Sequence, residues 1–349
     1  MGAAAECRFG MPIAVSMGDP AGIGLELCIK AWIERGKHDL PPFVLYADPE
    51  ALEERSRLLG LPIPLQVIGA PSEAAAVFAT ALPVRRVPLA VPAIPGAPNP
   101  ANAGAVIAAI QQATDAVLSG ATMALVTNPI AKSVLIASGF TYTGHTDFLA
   151  ALAQGQFPNQ QFSPVMMLAS RELRVVPLTI HIPLAEVPRS ITRASIMNTA
   201  RITYESLQRD FAIAVPRVAI AGLNPHAGED GTIGDEERNV IAPAIAELRS
   251  QGFSVTGPFP ADTLFHSSAQ GSYDAVIAMY HDQALIPFKT IAFDHGVNVT
   301  LGLPFVRTSP DHGTAFDIAA QVRASPNSFI ESLRLAVRIA AARAATVQR

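Results

Sequence analysis

Val218-Ala219-Ile220-Ala221-Gly222-Leu223-Asn224-Pro225-His226-Ala227-Gly228-Glu229 sets the pattern of this chain. Residues 218–222 form an apolar run without polar alternation, which reads as a strand covered on both faces. A polar loop containing Pro225 and Gly228 follows. Asp235, Glu236 and Glu237 then open a helix predicted over 235–251. Acidic residues suit a helix N-terminus, and Gly252 closes this one. Strand, loop and helix in that order are the unit of a parallel α/β sheet.

The same unit recurs on either side. Further strands are predicted over 13–17, 43–46, 123–127, 165–168, 175–179, 275–279 and 297–301. Helices are predicted over 102–119, 191–209 and 327–347, the last with arginines on one face. At ~150 residues per domain, 349 residues favour two domains. The proline-rich stretch 90–100 reads as a domain linker or a surface loop.

Composition narrows the function. Half the residues are hydrophobic and 15% are charged, which suits a compact enzyme and not a solvating chain. The net charge of -4 and scattered Lys and Arg argue against a nucleic-acid partner. Two cysteines, Cys7 and Cys28, are too few for a disulfide framework or a thiolate zinc site and read as idle thiols in a reducing compartment. No apolar run reaches the ~18–20 residues of a membrane span. The start of the chain lacks the pattern of a signal peptide, so the expected location is the cytoplasm.

Chemistry concentrates at predicted strand ends. Gly18-Asp19-Pro20-Ala21-Gly22-Ile23-Gly24 follows the first strand and would let backbone amides approach an anion, or simply turn the chain; it is not the G-x-G-x-x-G fingerprint. Thr127-Asn128-Pro129-Ile130-Ala131-Lys132 also follows a strand. In Gly144-His145-Thr146-Asp147, His145 and Thr146 either bind a polar substrate or begin a helix, with Thr146 or Thr143 as its cap. Lys289, Asn298 and Arg307 flank strands and suit an anionic substrate, Arg307 by a two-pronged grip; solvated surface charges are the plainer reading. His312-Gly313-Thr314 leads toward a predicted helix.

His181, His226 and His281 each follow an apolar strand. In a parallel sheet such ends share one edge, so three neutral imidazoles could meet there on a divalent metal, or stand as three separately satisfied histidines.

Taken together, SMGDPAGIG, TNPIAK, GHT, NPHAGE, PADTLF, MYHDQ and GVNVTLGLPFVRTSPDHGTAFDIA resemble the 4-hydroxythreonine-4-phosphate dehydrogenase family of pyridoxal-phosphate biosynthesis. The resemblance runs from Pro12 to about Ala342. It departs at Asp294-His295 and at Ala320, none of them a matched ligand.

The resemblance implies two α/β/α domains with a cleft between them, as in isocitrate and isopropylmalate dehydrogenases. An NAD-side domain is expected over 11–128 plus 287–349, and a metal, substrate and dimerisation domain over 129–286. It implies a homodimer whose site lies at the subunit interface. One divalent metal (Zn, Mg, Co or Mn) would be held by His181, His226 and His281, one of them from the other subunit. His145, Thr146, Lys289, Asn298 and Arg307 match substrate contacts. Gly18, Asp19, Gly22, His312 and Gly313 would stand by NAD or NADP. Lys289 or Asp262 would relay a proton. The implied reaction is oxidation of a secondary alcohol, 4-phosphooxy-L-threonine being the expected substrate. A phosphorylated sugar acid (threonate or erythronate 4-phosphate) or a carboxylated cis-dihydrodiol is the alternative.

Overall fold

A computed structural model describes residues 10–319 and 321–347; Cys7 and Ala320 lie outside them. The strands are β1 (Ile13–Ser16), β2 (Phe43–Ala47), β3 (Leu65–Val67), β4 (Leu82–Arg86), β5 (Ala124–Thr127), β6 (Val165–Ala169), β7 (Arg174–Pro177), β8 (Val218–Ala221), β9 (Val255–Phe259), β10 (Ala275–Ala278), β11 (Val297–Leu301) and β12 (Arg307–Pro310). The principal helices are α1 (Gly24–Ile33), α2 (Pro49–Leu58), α3 (Ala103–Leu118), α4 (Lys132–Ala137), α5 (His145–Gln156), α6 (Arg193–Phe211), α7 (Ala242–Ser250), α8 (His281–Ala292) and α9 (Asn327–Val347).

The chain divides into two compact units. The first unit runs to Pro164 and takes in Leu303–Ala341; the second is Val165–Gly302 with the residues after Ala341. The breaks therefore fall at 164/165 and 302/303, and not at 128/129 and 286/287. Residues 129–164 belong with the first unit because α5 packs on α3.

In the first unit the strand order is β3-β4-β2-β1-β5-β12, and every pairing is parallel. All residues of β1, β2 and β5 are buried, which is why their sequences carry no polar alternation. Helix α3 lies on β1, β2 and β5. Phe43 meets Phe78 and Phe329 edge-on, with ring centroids 5.0 and 6.1 Å apart.

Strands β3, β4 and β12 of this unit, and β9 of the second, were not foreseen. Strand β12 is the instructive one, because Arg307-Thr308-Ser309-Pro310 is polar and yet wholly buried. Its polar groups find partners: Arg307 Nη2 donates to Thr127 Oγ1 at 2.6 Å, and Thr308 Oγ1 to the Ser332 carbonyl at 2.9 Å. The stretch 90–100 is a loop of this unit and not a linker. Asn102 Oδ1 accepts from the Ala90 and Val91 amides, and Gly96 N donates to the Ala21 carbonyl.

In the second unit the order is β11-β6-β7-β10-β8-β9. Strands β7, β10, β8 and β9 are parallel, whereas β6 is antiparallel to both β7 and β11. Only four residues join β6 to β7, too few for a parallel crossover. Ser170 closes that hairpin, its Oγ accepting the Glu172 and Leu173 amides at 3.1 Å.

Helix α8 covers β7 and β10, burying Ala284, Phe288 and Ala292 among Leu168, Val175 and Val276. The helix predicted over 235–251 begins as a π-helical turn, Glu237–Ile241, before α7. Among the described residues, no helix is long and apolar enough to cross a membrane.

Candidate active site

The second unit places His181, His281 and His226 as their strand positions require. Strands β7, β10 and β8 are parallel neighbours, and His181, His281 and His226 all follow their C-terminal ends. The β7–β10 ladder extends past its last residues through Leu178 N to the Ala278 carbonyl and Thr179 Oγ1 to the Met279 carbonyl, both 2.8 Å. That extension brings the His181 and His281 rings together, centroids 5.8 Å apart. Both line a cavity of ≈ 250 Å³ whose wall also includes Ile180, Val187, Tyr280 and Asp282.

Asp282 Oδ1 lies 2.7 Å from Nδ1 of His281. A carboxylate only accepts, so in the neutral ring Nδ1 carries the proton and Nε2 keeps its lone pair for a ligand.

His226 is exposed and stands in an unusual turn. From His226 to Asp230 five successive residues have φ between 43° and 79°. Left-handed backbone costs a non-glycine residue roughly 1–2 kcal/mol, so the turn needs outside support. Glu237 supplies it. Its Oε1 accepts the Leu223 and Asn224 amides at 2.7 Å each, and Oε2 accepts Asn224 Nδ2 at 2.9 Å. A Cβ on Gly228 would come within 2.6 Å of that carboxylate, so only glycine fits. Gln283 of the YHDQ motif joins the two neighbouring strand ends, Nε2 donating to the Gly222 carbonyl and Oε1 accepting from Met279 N. The sequence reading gave no site role to Asn224, Asp282 or Gln283, whose cue was their adjacency to the histidines, and took Glu237 only as part of a helix start.

His226 is not gathered with the other two. Among the described residues, no three His, Cys, Asp or Glu side chains lie close enough to hold one ion. Lys289, half-buried in α8, sets Nζ 5.4 Å from the ring centroid of the exposed Phe293. Asn298 is half-buried on β11 opposite Leu168, and Asp262 is exposed in the short turn Ala261–Thr263.

In the first unit, Arg307 and Thr127 form a buried pair. Burial pushes the Arg307 guanidinium down to about 10. His145 begins α5; Nε2 of its imidazole is enclosed and has no hydrogen-bond partner. Burial, helped by the Arg307 and Lys132 cations, holds that imidazole well below its ordinary pKa, so it stays neutral. Neither threonine caps the helix: Gly144 is the N-cap residue, Thr146 lies inside α5, and Thr143 Oγ1 bonds Asp147.

The glycine loop looks inward. The Asp19 amide donates to the Pro129 carbonyl, Ala21 N to Asp19 Oδ1, Gly22 N to the Asp19 carbonyl and Ile23 N to the Thr314 carbonyl. Added Cβ atoms on Gly18, Gly22 and Gly24 would strike Pro129 O at 2.5 Å, Thr314 O at 2.8 Å and Met17 O at 2.6 Å. Buried Arg55 ties the Pro20 and Gly22 carbonyls. These glycines therefore permit close chain packing, and the amides of 19 and 21–23 are already taken. His312 Nδ1 lies 3.0 Å from the Gly313 carbonyl, and only a short 3-10 turn, Phe316–Ile318, follows. Cys28 is a buried free thiol, pushed up to about 12 by burial, as expected of an idle cysteine.

Residues 39–336 match the family described as pyridoxal phosphate biosynthetic protein PdxA. The chain belongs to this family. It is 55% identical over 333 residues to 4-hydroxythreonine-4-phosphate dehydrogenase of Methylorubrum populi, covering 94% of each chain. The crystal structure of 4-hydroxythreonine-4-phosphate dehydrogenase from Klebsiella pneumoniae is 40% identical, with a TM-score of 0.84 over 95% of this chain and 99% of that one. A terephthalate 1,2-cis-dihydrodiol dehydrogenase from Burkholderia xenovorans is 28% identical, with a TM-score of 0.61 over 94% of this chain and 98% of that one.

Proposed function

We propose that the protein is an NAD-dependent, divalent-metal-dependent dehydrogenase. It oxidises the C3 hydroxyl of 4-phosphooxy-L-threonine to 2-amino-3-oxo-4-phosphooxybutanoate. That β-keto acid loses carbon dioxide to give 3-amino-2-oxopropyl phosphate, in pyridoxine 5'-phosphate biosynthesis. The observation that carries this reading is the 55% identity to a 4-hydroxythreonine-4-phosphate dehydrogenase over 94% of both chains.

The donor chemistry supports a divalent cation. His181 and His281 face one cavity, and the proton on Nδ1 of His281 leaves Nε2 for a metal. In this reading His226 completes the set, with one of the three histidines arriving from a second copy of the chain. When bound, the cation would lower the pKa of the substrate hydroxyl and polarise the ketone, and the nicotinamide would take the hydride.

Arg307 and Lys289 neutralise the substrate's anionic groups, Asn298 hydrogen-bonds them, and the neutral imidazole of His145 and the Thr146 hydroxyl bond its polar atoms. Lys289 or Asp262 passes on the hydroxyl proton. Gly18, Asp19, Gly22, His312 and Gly313 stand by the dinucleotide (NAD, with NADP the alternative). Since the loop's amides are internally bonded, it offers shape and not donors.

The B. xenovorans structure favours a second substrate class, a carboxylated cis-dihydrodiol, at lower identity. NADH formation from 4-phosphooxy-threonine, threonate 4-phosphate and a carboxylated cis-dihydrodiol, each with and without chelator, separates the readings. Turnover of the first alone, abolished by chelator and restored by Mn, Co or Zn, is expected. Preference for either other substrate overturns the assignment, and full activity after metal stripping overturns the metal.

A further inference from the structure

In the block Thr127-Asn128-Pro129-Ile130-Ala131-Lys132, Thr127 anchors Arg307, but Lys132 has no role in the reaction as outlined. The backbone of the block is pinned: Asn128 Nδ2 donates to the Ser16 carbonyl at 3.0 Å, and the Pro129 carbonyl accepts from Asp19 N at 2.9 Å. Lys132 projects from this fixed segment at the start of α4. It is exposed and, among the described residues, takes no hydrogen bond or ion pair.

What it lies against is Gly144. A Cβ built there would sit 3.2 Å from Lys132 Cε and 3.4 Å from Nζ. The Gly144 backbone is extended, with φ 169° and ψ -166°, so its conformation does not demand glycine. The room is needed by the lysine. The next residue is His145, whose enclosed Nε2 has no partner. The cations of Arg307 and Lys132 both act on this imidazole. Arg307 itself is buried and anchored on Thr127.

We propose that Lys132 is a substrate-binding residue, and that its ammonium, the Arg307 guanidinium and the His145 imidazole bind the phosphoryl group of the substrate. Two cations and a neutral ring donor suit a dianion better than a singly charged carboxylate. The proposal rests on the reading that the substrate is phosphorylated.

The test compares the full-length protein with Lys132→Met, Lys132→Arg and Gly144→Ala. Calorimetry measures binding of inorganic phosphate, with acetate as the carboxylate probe; steady-state kinetics use 4-phosphooxy-threonine; thermal melts monitor folding. Lys132→Met should weaken phosphate binding tenfold or more and raise KM by a similar factor. Its kcat and Tm should stay near those of the parent. Lys132→Arg should restore most of the loss, and Gly144→Ala should show a smaller loss in the same direction. The proposal is overturned if Lys132→Met binds phosphate like the parent, if it loses acetate instead, or if the parent binds no phosphate. Lysine-dependent phosphate binding without NADH formation from 4-phosphooxy-threonine would support the pocket while overturning the substrate.

Discussion

Arg307 shows how far one side chain can be read from sequence. Its type and place beside a strand suggested an anion grip. That it would be buried, with its charge set against Thr127, depended on β12 pairing with β5. Arg307→Lys should lower kcat/KM for the phosphorylated substrate by roughly 10–100-fold, since one hydrogen bond to a charged group contributes about 1.5–3 kcal/mol. Steady-state assays with a melt as folding control measure this.

His145 makes a second residue-scale prediction. Its pKa is held well below the ordinary imidazole value, first by burial and then by the Arg307 and Lys132 cations. As pH falls, the unfolded chain takes up this proton before the folded one does. Stability is therefore untouched above the ordinary imidazole range and declines below it. The His145 ring signals in NMR should remain those of a neutral imidazole at pH 6; a normal titration midpoint would contradict the burial.

At the scale of elements, the chain's regular parts were the legible ones. The predicted strand over 218–222 is observed as Val218–Ala221, and the helix over 102–119 as Ala103–Leu118. Apolar runs and glycine stops are local signals, and local signals survive folding. The π-helical turn at Glu237 was not legible, nor was the reach of its carboxylate to amides 13 and 14 residues earlier, because no local pattern announces either. Glu237→Ala would leave the Leu223 and Asn224 amides without that acceptor. Each unsatisfied group costs about 1–3 kcal/mol, so the melting temperature should drop markedly. Metal affinity, read by chelator competition, should drop with it if His226 is a ligand. Glu237→Gln keeps one oxygen and should fall between.

For the whole molecule, the α/β architecture in two units followed from alternation and length, while the unit boundaries followed from packing. Asp210 is a folding-scale linchpin of the second unit, held by Arg209 and by Arg343 of α9. Burial alone would raise its pKa, but the hydrogen bonds from Arg209 and Arg343 outweigh this and the net shift is downward. A carboxylate with a depressed folded pKa stabilises the fold above its unfolded pKa, and loses that contribution as pH falls toward the folded one. Asp210→Asn should therefore destabilise the protein near neutrality, by about 3 kcal/mol, and flatten the acid limb of its stability curve in denaturant titrations.

The expected sharing of the metal site is tested at this scale too. If the histidines come from two copies, co-refolding inactive His181→Ala and His226→Ala variants should regain activity when those two residues serve one site from different chains. Sedimentation should then show a dimer. A fully active monomer would sink the shared site.

The sequence by itself determined the α/β class, the placement of three histidines after apolar strands and the family to which the chain belongs. Each is written in short segments, as hydrophobic runs or contiguous motifs. Only the tertiary structure decided that β7, β10 and β8 stand side by side, so that His181 and His281 share a cavity. It also decided that the glycine loop's amides are spent inside the protein, and that Gly144 makes room for Lys132. Apart from the two loop amides that bond back to Asp19, those outcomes depend on hydrogen bonds and close contacts between residues 12 to more than 100 positions apart, and no local pattern encodes which of the possible partners will meet.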